Sequence, residues 1–314
     1  MQKFRIAVDM HGGDGGVCVL SKAVLSASQK LDESVSFTLC GAEAEIKAEF
    51  SKICADIVFN SERFSICDSK PQGNAINNIS RLWRTAHDLS IIKCVLLQKD
   101  KKVCASFSAG DTGTLYSSAL FLLGREAGIE RAALAIAMPT ISEKQTVLLD
   151  IGANAECSPR HLFHFGILGE KYYRKITKES KPKIGILNIG RETYKGTVAV
   201  REAAAMMKKE FGEQFFGFVE GNEIFDGKVD VIVCDGFCGN AILKTSESLY
   251  HFIQMKIQNL LPPEAIKKMQ QFNSSSYGCA PILGLKGNVF KAHGNSSVEA
   301  LSRAIIKAVE SANI

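Results

Sequence analysis

Five segments of the chain pair glycine with residues that can donate, accept or carry charge, and each follows a short apolar run. Val8-Asp9 leads into Gly12-Gly13-Asp14, and Phe107 into Ser108-Ala109-Gly110-Asp111-Thr112-Gly113. Asp150-Ile151 leads into Gly152-Ala153-Asn154, and Asn188-Ile189 into Gly190-Arg191-Glu192 and then Lys195-Gly196. Cys234 leads into Asp235-Gly236-Phe237-Cys238-Gly239-Asn240, with Lys244 one turn into the helix expected there. Glycine lets main-chain N–H groups approach a ligand closely, and helix N-termini add positive partial charge, so such loops suit an anion such as phosphate. Lys195 and Lys244 stand where helices are expected to begin, and a cation there opposes the helix dipole. A residue set against its local preference points to function. Any one of these loops is explained by a strand-to-helix turn; all five together exceed what connection requires.

No nucleotide or hydrolase signature competes. The chain has no G-x-x-x-x-G-K-[ST] loop, no G-x-G-x-x-G after its first strand and no G-x-S-x-G elbow. His161 and His164 fall i, i+3 on one expected helix and read as surface or packing residues. His293, in Lys291-Ala292-His293-Gly294, closes the last expected strand and either contacts substrate or caps a turn. The ten cysteines include no C-x-x-C pair, and Cys234 and Cys238 have no second pair to complete a metal site, so the thiols are expected to be structural. Neither a metal nor a cofactor is called for.

These residues need a frame. The 314 residues, 46% hydrophobic and 23% charged, can build a substantial core. The net charge of +5 is scattered and fits an anionic substrate, but it forms no basic stripe of the kind nucleic acid requires. The start, Met1-Gln2-Lys3-Phe4-Arg5, lacks the apolar stretch of a secretory signal, and no apolar run approaches the ~20 residues that span a bilayer. A soluble, cytoplasmic protein with reduced thiols is expected. Strand patterns at residues 4–10, 35–41, 103–107, 132–138, 146–151, 183–188, 215–220, 230–234 and 288–292 alternate with helical ones at 18–31, 112–123, 159–178, 195–211, 239–261 and 297–312. Such alternation implies a largely parallel sheet covered on both faces, an α/β/α sandwich, in a single domain over 1–314. Pro262-Pro263 interrupts the long helix, and residues 250–272 read as a protruding helical hairpin. The stretch from Ser61 to Asp100 gives no clear pattern.

Taken in order, several pieces resemble one family. They are Ala7-Val8-Asp9 with Gly12-Gly13-Asp14, Ser108-Ala109-Gly110, Leu149-Asp150-Ile151-Gly152-Ala153-Asn154, Leu187-Asn188-Ile189-Gly190 with Glu192 and Lys195-Gly196, Cys234-Asp235-Gly236-Phe237 with Gly239-Asn240 and Leu243-Lys244-Thr245, and Lys291-Ala292-His293-Gly294. End to end, the chain resembles the bacterial acyl-carrier-protein:phosphate acyltransferases. The resemblance implies a fold related to the isocitrate and isopropylmalate dehydrogenases, a homodimer and peripheral association with the membrane. It also implies transfer of a fatty acyl group from acyl carrier protein to inorganic phosphate, for phospholipid synthesis. Lys195 and Asp235 match the family's catalytic pair. Asp9, Gly12, Gly13, Asp14, Ser108, Gly110, Asn154, Asn188, Glu192, Gly239, Asn240, Lys244 and His293 are the expected substrate-binding positions. Phosphate is already largely a dianion near neutral pH and needs positioning more than deprotonation, whereas its attack on a thioester needs donors for the developing oxyanion. The chain differs from the family's pattern at Gly15-Gly16-Val17, at Asp111 and over Ile79 to Lys93. Asp111 is expected to face solvent or Lys244. An enzyme using a coenzyme A thioester and a non-catalytic homologue remain as alternative readings.

Overall fold

Alternating strand and helix runs carry almost the whole chain. The computed structural model describes residues 4–53, 59, 62–71, 81–142, 144–257, 260–269 and 278–313. Its elements are β1 (Phe4–Asp9), α1 (Gly16–Ser28), β2 (Val35–Gly41), α2 (Glu43–Ile53), β3 (Phe64–Asp68), α3 (Leu82–Thr85), α4 (Ser90–Lys99), β4 (Ala105–Ser108), α5 (Thr112–Leu122), β5 (Ala133–Pro139), β6 (Gln145–Leu149) and α6 (Pro159–Thr177). There follow β7 (Ile184–Leu187), α7 (Val198–Phe211), β8 (Phe215–Val219), β9 (Val231–Val233), α8 (Gly236–Ile257), α9 (Pro263–Met269), β10 (Ala280–Leu283), β11 (Asn288–Lys291) and α10 (Val298–Asn313). The chain divides into two compact units, Met1–Glu126 with Gly278–Ile314, and Ala127–Tyr277.

In the first unit the strands run in the order β3-β2-β1-β4-β11-β10. All but β10 are parallel, β10 pairing antiparallel with β11. Period-two alternation sorts the side chains of β1: Ile6 and Val8 enter a core with Leu20 and Val24 of α1 and Leu301 and Ile305 of α10. Ala7 faces the other way, into a cluster with Cys40, Cys94 of α4 and Val103. Asp9, two residues on from Ala7, therefore also belongs to the α4 side.

In the second unit the order is β5-β6-β9-β7-β8, with β6, β9, β7 and β8 mutually parallel and β5 antiparallel to β6. Strands β6 and β9 are buried along almost their whole length, as a sheet covered on both faces requires.

The expected α/β class and largely parallel sheet are present. Two strands and three helices were not foreseen: β3, β10, α2, α3 and the apolar α4. The helix expected from Lys195 starts instead at Val198, because Thr197 caps it, its hydroxyl accepting from the Val200 N–H at 3.2 Å. Lys195 is thus in the preceding loop. The helix expected from Gly239 starts earlier, at Gly236, which puts Lys244 more than two turns in, paired with Glu247 at 2.9 Å. Neither lysine opposes a helix dipole at a first turn. Of the expected hairpin, α8 and α9 are described to Ile257 and over Pro263–Met269, while residues 258–259 and 270–272 lie outside the described residues.

Candidate active site

In the second unit β6, β9 and β7 are parallel neighbours, so the loops at their carboxyl ends share one edge. The β6 loop is built around Asp150, which is 0% exposed. Its Oδ1 accepts from the N–H groups of Leu134 (3.0 Å), Gly152 (3.3 Å) and Ala153 (3.1 Å). Its Oδ2 accepts from the Asn154 N–H (2.7 Å) and side-chain amide (2.8 Å). Burial raises the carboxyl above the ordinary aspartate range, and these bonds only partly offset it. Asn154 also donates to the Ala132 carbonyl at 2.8 Å, so its amide fixes the loop.

The first turn of α8 lies directly on this loop. The Gly236 N–H donates to the Asn154 carbonyl at 2.7 Å, and a Cβ on Gly239 would stand 1.9 Å from the Asp150 carbonyl oxygen. Only glycine permits that approach. Asn240, exposed, rests its side chain against Gly152. Asp235 precedes the helix and accepts from the Cys238 N–H at 2.8 Å, an N-cap that leaves it partly open to solvent. Burial and Asp235 push the Cys238 thiol up to about 11, and burial with Asp150 pushes Cys157 up to about 12. Both thiols stay protonated near neutral pH and are poor nucleophiles.

The β7 loop is stapled by Asn188, whose amide donates to the carbonyls of Gly190 and Lys195, both at 3.1 Å. Arg201 donates to the Gly196 carbonyl at 2.5 Å, and Arg191 pairs with Glu223. Within this frame the Lys195 ammonium meets Glu192 Oε2 at 2.9 Å, holding the Glu192 carboxyl below the usual range. The pair folds over Gly190, where a Cβ would stand 2.5 Å from the lysine side chain and 2.9 Å from the carboxylate. Lys195 is thereby oriented by Glu192, and Asp235 by its own helix.

In the first unit the loops after β1, β4 and β11 likewise share an edge. Asp9 is 2% exposed and accepts from the hydroxyls of Ser108 and Ser90, each at 2.6 Å, and from the His11 N–H at 3.3 Å. Burial raises its carboxyl above the ordinary range. Ser108, fully buried, accepts in turn from the Gly110 N–H at 2.9 Å. Gly12 packs against Asp9 and the Gly110 backbone, and Gly13, at φ 78°, lies against the Gly294 carbonyl. The Asp14 N–H donates to that carbonyl at 2.8 Å, and the His293 carbonyl accepts from Ser296 at 3.4 Å, closing a turn. The exposed charged side chains of these loops are Asp14 and Asp111, the latter capping α5 by accepting from the Thr114 N–H at 2.7 Å, while the half-buried Lys291 ammonium donates to the Ala109 carbonyl at 3.5 Å. Asp111 therefore meets solvent and its own helix, and Lys244 meets Glu247.

A family model described as "Fatty acid synthesis protein" matches residues 4–314. A phosphate acyltransferase from Dictyoglomus turgidum is 35% identical over 314 residues, covering 96% of this chain and 92% of that protein. One from Campylobacter fetus is 38% identical over 321 residues, covering 97% and 93%. The chain belongs to the phosphate acyltransferase family. As a member it is an enzyme, an acyltransferase. A phosphotransacetylase from Streptococcus pyogenes shares the fold at TM-score 0.66 and 14% identity, over 99% of this chain and 94% of that one; a phosphotransacetylase from Staphylococcus aureus does so at 0.64 and 14%, with the same coverage.

The second unit presents Lys195, paired with Glu192, on the loop after β7, and the neighbouring parallel strand β9 leads into the start of α8. Asp150, which organises that start, was not foreseen as a site residue. Its signal is an aspartate ending an apolar run just before Gly-x-Asn, the pattern of a carboxylate folding its own loop around itself.

Proposed function

We propose that the chain transfers a fatty acyl group from an acyl-carrier-protein thioester to inorganic phosphate. A phosphate oxygen attacks the thioester carbonyl carbon and the C–S bond breaks. Acyl phosphate and the carrier thiol leave, the thiol taking up the proton released as the phosphate is acylated. The observation that carries this reading is the Lys195–Glu192 pair folded over Gly190 on a loop stapled by Asn188. A preorganised ammonium of this kind binds phosphate and offsets charge on the developing oxyanion, without rearranging during the reaction. Asp235 holds the start of α8, and Asn154, Asn240, Gly239 and Lys244 complete that side. In the first unit Asp9, Gly12, Gly13, Asp14, Ser108, Gly110 and His293 are the candidate substrate-binding positions, Asp9 and Ser108 acting by shaping loops. The test combines the protein with long-chain acyl carrier protein and phosphate, trapping acyl phosphate with hydroxylamine. Product that requires both substrates supports the reading, and its absence refutes it.

We further propose that residues 250–272 serve a homodimer contact and a peripheral membrane contact. Along α8, Leu249, Phe252 and Met255 recur at helical spacing and are 56%, 59% and 63% exposed, a stripe that water does not favour. Among the described residues no helix is long and apolar enough to cross a membrane. Ile266→Glu with Met269→Glu is expected to release the protein from anionic vesicles while leaving it dimeric; a monomer would assign the segment to the dimer contact alone.

A further inference from the structure

The β7 loop of the second unit leaves large apolar side chains in water beside locally paired polar ones. Asn188 donates to two carbonyls, Arg191 pairs with Glu223 and Lys195 with Glu192, the charged groups of the loop (Arg191, Glu192, Lys195) staying partly exposed. Its large apolar ones face water, Ile189 at 79% and Tyr194 at 73% exposed. The β9 loop next to it adds Phe237, 72% exposed on the first turn of α8, two residues past Asp235. These loops are also stapled, so the apolar side chains cannot easily fold down out of water.

We propose that Ile189, Tyr194 and Phe237 are the seat of the donor's acyl chain and set its length preference. This rests on the acyl-transfer reading above. Three observations choose that occupant. The apolar residues lie on the same two loops as Lys195 and Asp235, so a chain lying along them brings its carbonyl carbon to the loops that carry those side chains. The family to which the chain belongs is described by fatty acid synthesis. The exposed charges of the β7 loop are matched in sign, Arg191 with Glu223 and Lys195 with Glu192, so the loop offers no single-signed patch to a strongly charged peptide. Each methylene taken from water is worth about 0.8 kcal/mol, or about fourfold in affinity, so a rigid apolar seat converts chain length into discrimination.

The test measures kcat/KM with palmitoyl and butyryl donors for the parent and for Ile189→Ser with Phe237→Ser. A parallel measurement follows equilibrium binding of the two donors without phosphate. The expected result is a parent ratio strongly favouring palmitoyl, and a fall in that ratio of about tenfold or more in the double variant, in both measurements. Because both donors are compared on the same protein, partial misfolding cancels from the ratio. Ile141→Ser, at another 79% exposed apolar residue, is expected to leave the ratio in place. An unchanged ratio in the double variant, or an equal change in Ile141→Ser, overturns the proposal and leaves these side chains to a second copy or the carrier protein. A parent that binds palmitoyl donor by these residues yet makes no acyl phosphate would contradict the acyl-transfer reading and not the seat.

Discussion

In the first unit a buried aspartate at the end of β1 gathers two serine hydroxyls, from Ser90 and Ser108, that are far away in sequence. In the second a buried aspartate just past β6 gathers four main-chain N–H groups, from Leu134, Gly152, Ala153 and Asn154, and one side-chain amide. Asp9 therefore ties elements together, whereas Asp150 mainly folds its own loop and seats a helix on it. What the loops leave in water also differs. The first unit presents Asp14 and Asp111, with Lys291 half-buried against the Ala109 carbonyl; the second presents the Lys195–Glu192 pair and a partly open Asp235. Glycine-rich loops at the end of a parallel sheet thus differ in how they hold their charged side chains.

The largest effect that separates the two loop sets is on stability. Asp150→Ala strands several buried N–H groups that cannot turn elsewhere and is expected to cost about 3–5 kcal/mol in urea unfolding. Asp9→Ala leaves mostly hydroxyls, which rotate to other acceptors, and is expected to cost less, about 2–3 kcal/mol. Equal costs would remove the distinction drawn between them.

Titration gives a second comparison. Burial raises Asp9, so in the window between the usual aspartate value, ~4, and its raised value the folded state binds more protons than the unfolded one. Its contribution is fully present below that window and is lost as pH rises through it. Asp9→Asn does not titrate, so the stability of the parent relative to this variant is expected to decline as pH rises above about 4. Urea midpoints measured across that range would read it, and a difference that rises with pH would show that hydrogen bonds, not burial, control Asp9.

The smallest effect is at Asp111. As the N-cap of α5 it is expected to lose about 1 kcal/mol on changing to Ala, and little on changing to Asn, which caps equally well. Acyl phosphate formation by Asp111→Asn is expected to match the parent or exceed it, since one negative charge is removed from the first unit's rim. A large loss of activity at unchanged stability would give the carboxylate a positive part.

Much of this was legible in the residues. The alternation of apolar runs gave the α/β class, and the glycine loops after β1, β4, β6, β7 and β9 were visible as candidate sites. The omissions have physical causes. β3 buries only Phe64 fully and reads as loop, while α4 is apolar along most of Ser90 to Leu97, leaving no period to separate helix from strand. The start of α7 was misplaced because Gly196, at φ 89°, and the Thr197 cap halt the helical pattern after Lys195. The pairing of Lys195 with Glu192 and not with Asp235 depends on how the β7 loop is stapled by Asn188, which spacing does not disclose. Asp9 and Ser108 were legible as site positions, but burial turns them toward each other.

The central claim is that the cation held over Gly190 carries the chemistry. Lys195→Ala removes an exposed ion pair of little worth to the fold, so its unfolding midpoint is expected to match the parent. Its kcat/KM for acyl phosphate formation, followed by hydroxylamine trapping, is expected to fall by about 2–4 kcal/mol in transition-state stabilisation, the cost of removing a preorganised charge-stabilising group. A folded variant with the parent's activity would contradict the account.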